Sequence, residues 1–189
     1  MAETGGTEAQ KILIVEDHQL VREGITTLIQ EEDDLEVVAQ TADAAGAKEA
    51  LARNEVDLAI VDLELPGRDG LGLIEELAEE YDSLKVLVLS AYEEKLFAER
   101  CLRAGAGGYI MKKAATRELI EAIRQVTQGQ VYVSREMSDR MLRRYVGADD
   151  GGTGSGVSSL TNREIEVFRL IGRGCSPSDI SEVLDISVK

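Results

Sequence analysis

Five short apolar runs punctuate the first two-thirds of this 189-residue chain, at Lys11–Val15, Glu36–Gln40, Asp57–Val61, Lys85–Leu89 and Gly108–Met111. Each is too short for a helix, and the run of strands is near-continuously apolar rather than alternating, the pattern of strands buried on both faces. Between and after them the spacing changes to a helical period: Val21, Ile25, Leu28 and Ile29 fall on one stripe, as do Leu119, Ile123 and Val126. Strand and helix alternate five times, which predicts five βα units in a parallel α/β sheet covered on both sides.

The pattern changes after residue 130. Ser134–Val146 has helical spacing, with Met137, Met141 and Tyr145 on one stripe, and Gly147–Gly156 has almost nothing to bury and reads as a flexible linker. Thr161-Asn162-Arg163-Glu164 is a capping-box pattern that starts a helix whose apolar face is Ile165, Val167, Phe168, Leu170 and Ile171, stopped by Gly174. Ser176-Pro177-Ser178-Asp179 starts another, with Ile180, Val183 and Leu184 on its buried side. The predicted organisation is a tail over 1–10, an α/β domain over 11–130, a linker helix and Gly-rich linker over 131–156, and a partial helix-turn-helix over 157–189.

Charge separates these parts. Of a formal net charge of −15, residues 1–130 hold 13 Lys+Arg against 27 Asp+Glu, so the α/β domain is no nucleic-acid surface. Cys101 and Cys175 have no Cys or His at metal-ligand spacing, which points to neither zinc nor disulfides and fits a reducing cytosol. With no long apolar stretch and no basic-then-apolar leader, the expectation is a cytoplasmic protein without membrane partners.

Three of the apolar runs end in ionisable residues: Glu16-Asp17, Asp62 and Lys112. In a parallel α/β sheet the carboxyl ends of the strands share one edge, where ligands bind, so three acids and a lysine converge there. Such acids repel one another and call for protonation or a hard cation, of which Mg²⁺ is the natural choice. Lys112 faces an anionic group opposite the metal, and a carboxylate between them is placed as a nucleophile that forms an acyl phosphate. Taken alone, an Asp before a turn reads equally as a cap or Asx-turn, and His18 as a helix-start residue.

Glu16-Asp17, Asp62-Leu63-Glu64-Leu65-Pro66-Gly67-Arg68-Asp69-Gly70, Ser90-Ala91 and Gly108-Tyr109-Ile110-Met111-Lys112 together resemble the motif set of bacterial response-regulator receiver domains, over residues 11–130. Leu160–Ile171, with Gly174 and Ile186-Ser187, resembles the start of the LuxR-type helix-turn-helix of NarL/FixJ regulators. The resemblance implies a flavodoxin-like (βα)5 receiver and a transcriptional switch, not an enzyme, phosphorylated by a partner histidine kinase. By position it makes Asp62 the phosphoacceptor. Asp17, Asp62 and the main-chain carbonyl of Glu64 become Mg²⁺ ligands, with Glu16 in support. Lys112 and Ser90 contact the phosphoryl group, and Tyr109 is either the switch aromatic that turns inward or a static half-buried ring.

The output implied is DNA binding as a homodimer. Two other readings stand beside it: a stand-alone receiver acting by protein contact, and an aspartyl-phosphate phosphohydrolase. The latter places its nucleophile on the first strand, whereas Asp62 follows the third. The sequence stops where that family's recognition helix begins, so this chain is expected to bind DNA weakly and without sequence preference.

Overall fold

A computed structural model describes residues 9–66, 68–146, 162–172 and 174–184. In chain order its elements are β1 (Gln10–Val15), α1 (Gln19–Gln30), β2 (Leu35–Thr41), α2 (Ala44–Arg53), β3 (Leu58–Val61), the two-residue strands β4 (Glu64–Leu65) and β5 (Arg68–Asp69), and α3 (Gly70–Glu80). They continue with β6 (Lys85–Ser90), α4 (Glu94–Arg103), β7 (Gly108–Met111), a single 3₁₀ turn at Lys112–Ala114, α5 (Ala115–Thr127), α6 (Arg135–Tyr145), α7 (Asn162–Gly172) and α8 (Pro177–Leu184).

The five predicted runs are the five strands of one parallel sheet, ordered β2-β1-β3-β6-β7, while β4 and β5 pair antiparallel as a small hairpin. The strand order reverses between β1 and β3, as in flavodoxin-like sheets. Ile12, Ile14, Leu58, Ile60, Leu87 and Leu89 point to one face and pack against Ile25 and Ile29 of α1 and Leu119, Ile123 and Val126 of α5. The alternate residues Leu13, Val15, Ala59, Val61, Val86 and Val88 are equally buried on the opposite face. That two-sided burial is why these strands read as continuous apolar runs. Gln10 belongs to β1 rather than to a tail, its N–H donating to Asp34 O at 2.9 Å.

The chain returns to the sheet after α5. Tyr132 lies beside β7 in a parallel bridge to Gly108, donating to Gly107 O at 3.0 Å while its own carbonyl accepts from the Tyr109 N–H at 2.8 Å. The following helix starts at Arg135, and Ser134 is its cap, with Oγ accepting from the Met137 N–H at 3.2 Å. Met137 is buried, but Tyr145 is exposed, so the predicted stripe does not reach the end of the helix.

The chain divides into two compact units, residues 1–141 and 142–189. In the second, α7 ends at Gly172, and beyond it Gly174, with a φ of 82°, lets the Cys175 N–H reach Leu170 O at 3.0 Å and its own N–H reach Ile171 O at 2.9 Å. α8 opens as expected on Ser176: Oγ accepts from the Asp179 N–H, and the Asp179 carboxylate accepts from the Ser176 N–H at 2.8 Å. Ile180 is buried, while Phe168 and Ile171 of the predicted apolar face are 65% and 57% exposed. Two short helices have too little surface to enclose both sides of α7. Thr161 and the Gly-rich stretch 147–156 lie outside the described residues, and the side chains of Ile165 and Val183 do as well.

Candidate functional site

Register brings the predicted residues together. Val15 pairs with Val61 and Ser90 with Met111, so the residues that follow these strands, Glu16, Asp62 and Lys112, emerge from the same edge. The ladder holds beyond the strand ends: Asp62 N–H donates to Val15 O at 2.9 Å and Glu16 N–H to Thr41 O at 3.0 Å. Lys112 Nζ then lies 2.7 Å from Asp62 Oδ2 and 2.7 Å from Glu16 Oε2. Donor atoms of Glu16, Asp17, His18 and Asp62 all fall within 4.8 Å of one another. The Glu64 side chain is outside this group, and its backbone donates to the Asp62 carboxylate.

Asp62 and Glu16 are each 1% exposed. Burial pushes the Asp62 carboxyl up to about 6, and the charge of Glu16 adds to the rise, while the Lys112 hydrogen bond opposes it. Burial by itself lowers the Lys112 ammonium, but its hydrogen bonds to Asp62 and Glu16 outweigh that and hold it above its ordinary value. One cation against three carboxylates leaves the edge anionic. Asp62 Oδ1 is buried without a hydrogen-bond partner, which is the signature of a carboxylate oxygen whose partner is a cation or a transferred group. The donor set suits a hard divalent ion.

Ser90 Oγ accepts from the Tyr92 N–H at 3.1 Å and hydrogen-bonds the Tyr109 phenol. Tyr109 is 1% exposed and donates to Tyr92 O at 2.9 Å. The ring is therefore inside already, with burial pushing its hydroxyl well above the usual phenol range. Tyr92 stacks on Phe97 at 4.6 Å, so Ser90, Tyr109 and the start of α4 form one packed group.

Three supporting residues escaped the sequence reading. Arg22 of α1 reaches back to donate to Glu16 O and, at 3.4 Å, to Asp17 O, which clamps the acidic loop from behind. Gly70 sits so close to the phosphoacceptor candidate that a Cβ there would lie 2.5 Å from Asp62 O and 2.6 Å from Leu63 Cα. Glu94, in the first turn of α4, is buried and accepts from both the Ser134 N–H, at 2.7 Å, and the Ser134 hydroxyl. Only Gly70 left a trace in sequence, as the end of the turn motif. A surface arginine four residues into a helix, and a glutamate and a serine 40 positions apart, carry no such signal.

Comparison with known proteins agrees with this geometry. Residues 12–124 match the response regulator receiver domain. The chain is 34% identical over 183 residues to the oxygen regulatory protein NreC of Staphylococcus haemolyticus (strain JCSC1435), spanning 95% of this chain and 84% of that protein. NreC of Staphylococcus aureus (strain MRSA252) is 33% identical over the same shares. Among solved structures, a LuxR-family two-component response regulator from Aurantimonas sp. SI85-9A1 superposes with a TM-score of 0.67 at 29% identity, over 74% of this chain and 99% of that one. The RcsB response regulator of Salmonella typhimurium shares the fold, with a TM-score of 0.66 at 23% identity over 95% and 85% of the two chains. A receiver-domain match over most of the α/β unit, and relatives that extend through the C-terminal helices, place this chain in the two-component response-regulator family, in its NarL/FixJ class with a LuxR-type helix-turn-helix.

Proposed function

We propose that this protein is a phosphorylation-controlled transcription switch in which Asp62 accepts a phosphoryl group from a partner histidine kinase. The observation that supports it most directly is the Asp62 carboxylate itself: one oxygen on Lys112 and the other buried without a partner, at the open edge of a parallel sheet. Asp62 attacks phosphorus, a P–O bond forms as the P–N bond of the donor phosphohistidine breaks, and the electron pair leaves on the imidazole. Lys112 balances charge on the phosphoryl oxygens, and the Ser90 hydroxyl turns to donate to one of them. Mg²⁺ is the fitting cation: Asp17, Asp62 and the Glu64 main-chain carbonyl would hold it, with Glu16 in support. When bound it neutralises the oxygens of the transferring group.

Because Ser90 bonds both Tyr92 and Tyr109, drawing its hydroxyl toward a phosphoryl group biases the packing of α4, β7 and α5. The output is DNA binding as a homodimer through the C-terminal helices. RcsB, which shares the fold, has been solved as two dimers bound to two parallel DNAs. The protein acts in the cytoplasm as a phosphoacceptor with no turnover of an external substrate. Among the described residues, no helix is long and apolar enough to cross a membrane.

Intact-mass measurement after exposure to acetyl phosphate, with and without Mg²⁺, tests the reading. A single Mg²⁺-dependent phosphoryl adduct is expected, lost in Asp62→Asn. Full labelling of that variant would overturn the assignment.

A further inference from the structure

His18 holds the N-cap position of α1 but makes no side-chain cap hydrogen bond. Its ring turns instead into the acidic cluster, with Nδ1 2.7 Å from Asp17 Oδ1 and 3.1 Å from Glu16 Oε1. Adjacent donors on an octahedral ion with bonds of about 2.0–2.1 Å stand about 3 Å apart, so both separations match an edge of such a coordination shell. A second observation points the same way: Asp62, almost fully buried, directs an oxygen without a hydrogen-bond partner into the same group of donors. The His18 side chain is 61% exposed, which puts the nitrogen at the open rim of the cluster, reachable from solvent.

We propose that His18 is a nitrogen ligand of this cation site and widens the class of ion it takes, from hard oxygen-seeking ions to borderline first-row ions such as Ni²⁺ and Cu²⁺. The proposal rests on the reading of Asp17 and Asp62 as cation ligands. Imidazole nitrogen adds little for Mg²⁺, which prefers oxygen and keeps its waters, but much for ions late in the first transition row. A site of carboxylates and one imidazole therefore discriminates between the two classes through a single residue. On binding an ion, Nδ1 gives up the proton it directs at the Asp17 and Glu16 carboxylates and supplies its lone pair, with the remaining ring proton on Nε2.

The chain has a single histidine, so an imidazole signal from untagged protein has one source. Wild type, His18→Gln and Asp17→Asn are titrated calorimetrically with MgCl₂ and with NiCl₂, and the Cu²⁺-loaded wild type is read by pulsed electron paramagnetic resonance for imidazole nitrogen. His18→Gln is expected to weaken Ni²⁺ by on the order of tenfold and leave Mg²⁺ within about twofold, while Asp17→Asn weakens both, and the nitrogen signal is present. Unchanged Ni²⁺ affinity in His18→Gln, or a missing nitrogen signal, overturns the role of His18. Mg²⁺ binding that Asp17→Asn does not alter overturns the Mg²⁺ reading instead, and Ni²⁺ binding insensitive to Asp17→Asn places that ion elsewhere and overturns the proposal.

Discussion

Removing the charge of Asp62 should stabilise this protein when no divalent ion is bound. The carboxyl is 1% exposed, and burial beside Glu16 raises it from 3.8 to about 6. Between those values the folded chain holds a proton that the unfolded chain has released, so this group's contribution to stability is full below pH 3.8 and is lost as pH rises through about 6. At ~1.4 kcal/mol per pH unit the loss is about 3 kcal/mol at neutral pH. Asp62→Asn keeps the shape without the charge and escapes that loss. The attraction of Lys112, 2.7 Å away, opposes the rise and is already contained in that figure, and the Asn carbonyl keeps part of its hydrogen bond. A net gain of about 2–3 kcal/mol is expected at pH 7.5. The assay is urea unfolding followed by circular dichroism in EDTA, wild type against variant, from pH 4 to pH 8. Taking the difference cancels the carboxylates common to both. The gap should open between pH 4 and 6.5 and reverse when Mg²⁺ is added, because the variant has lost a ligand charge. A gap that is absent at pH 7.5, or present and independent of pH, would refute the picture of a charge-frustrated site.

Lys112→Met leaves Glu16 and Asp62 buried without its cation, and should cost about 3 kcal/mol in urea unfolding at pH 7.5 in EDTA, shrinking toward pH 4 as the Asp62 carboxyl takes up its proton. Gly70→Ala drives a methyl into the backbone of Asp62 and Leu63, which cannot yield as a side chain would; a stability loss of about 1–3 kcal/mol and slower labelling by acetyl phosphate are expected from thermal melts and mass time courses. Ser134→Ala removes the hydroxyl that donates to buried Glu94, keeps the backbone N–H bond to it, and uncaps α6, so hydrogen exchange over 135–141 should quicken, with a loss of about 1–3 kcal/mol. Analytical ultracentrifugation with and without beryllofluoride checks the output: the dimer fraction should rise, and an unchanged monomer fraction would rule out dimerisation as the switch.

Most of the receiver fold was legible because burial on both faces leaves a strong mark: Ile12 to Val15 and Leu58 to Val61 are apolar at every position, and the strand limits differ from expectation by one residue. The acidic edge was legible for a geometric reason, since strands in a parallel sheet present their C-terminal neighbours on one side. What stayed hidden depends on long-range placement of ordinary residues. Arg22 and Ser134 look like solvated surface, and only their reach to Glu16 O and to the Glu94 carboxylate gives them a role. Tyr109 kept two readings open in sequence, because periodicity places a ring near a site but not its rotamer; the structure has it inside, bonded to Tyr92 O. Phe168 and Ile171 mark another limit: periodicity identifies an apolar stripe but not what covers it, and both are exposed.

The return of the chain along β7 bears on how such a module can be recombined. β2 and β7 are the two edges of the sheet, and an open parallel edge is a template on which another chain can add a strand. Tyr132 occupies part of the β7 edge, taking the Tyr109 N–H and Gly107 O that a foreign strand would seek. A gene fusion joined at the end of α5, where the fifth repeat unit closes, would bare that edge and leave Glu94 without Ser134 in the same stroke. The natural breakpoint for swapping outputs therefore lies beyond the buried Met137, inside what looks from sequence like the connector, and hybrids cut there should stay monodisperse where shorter ones aggregate.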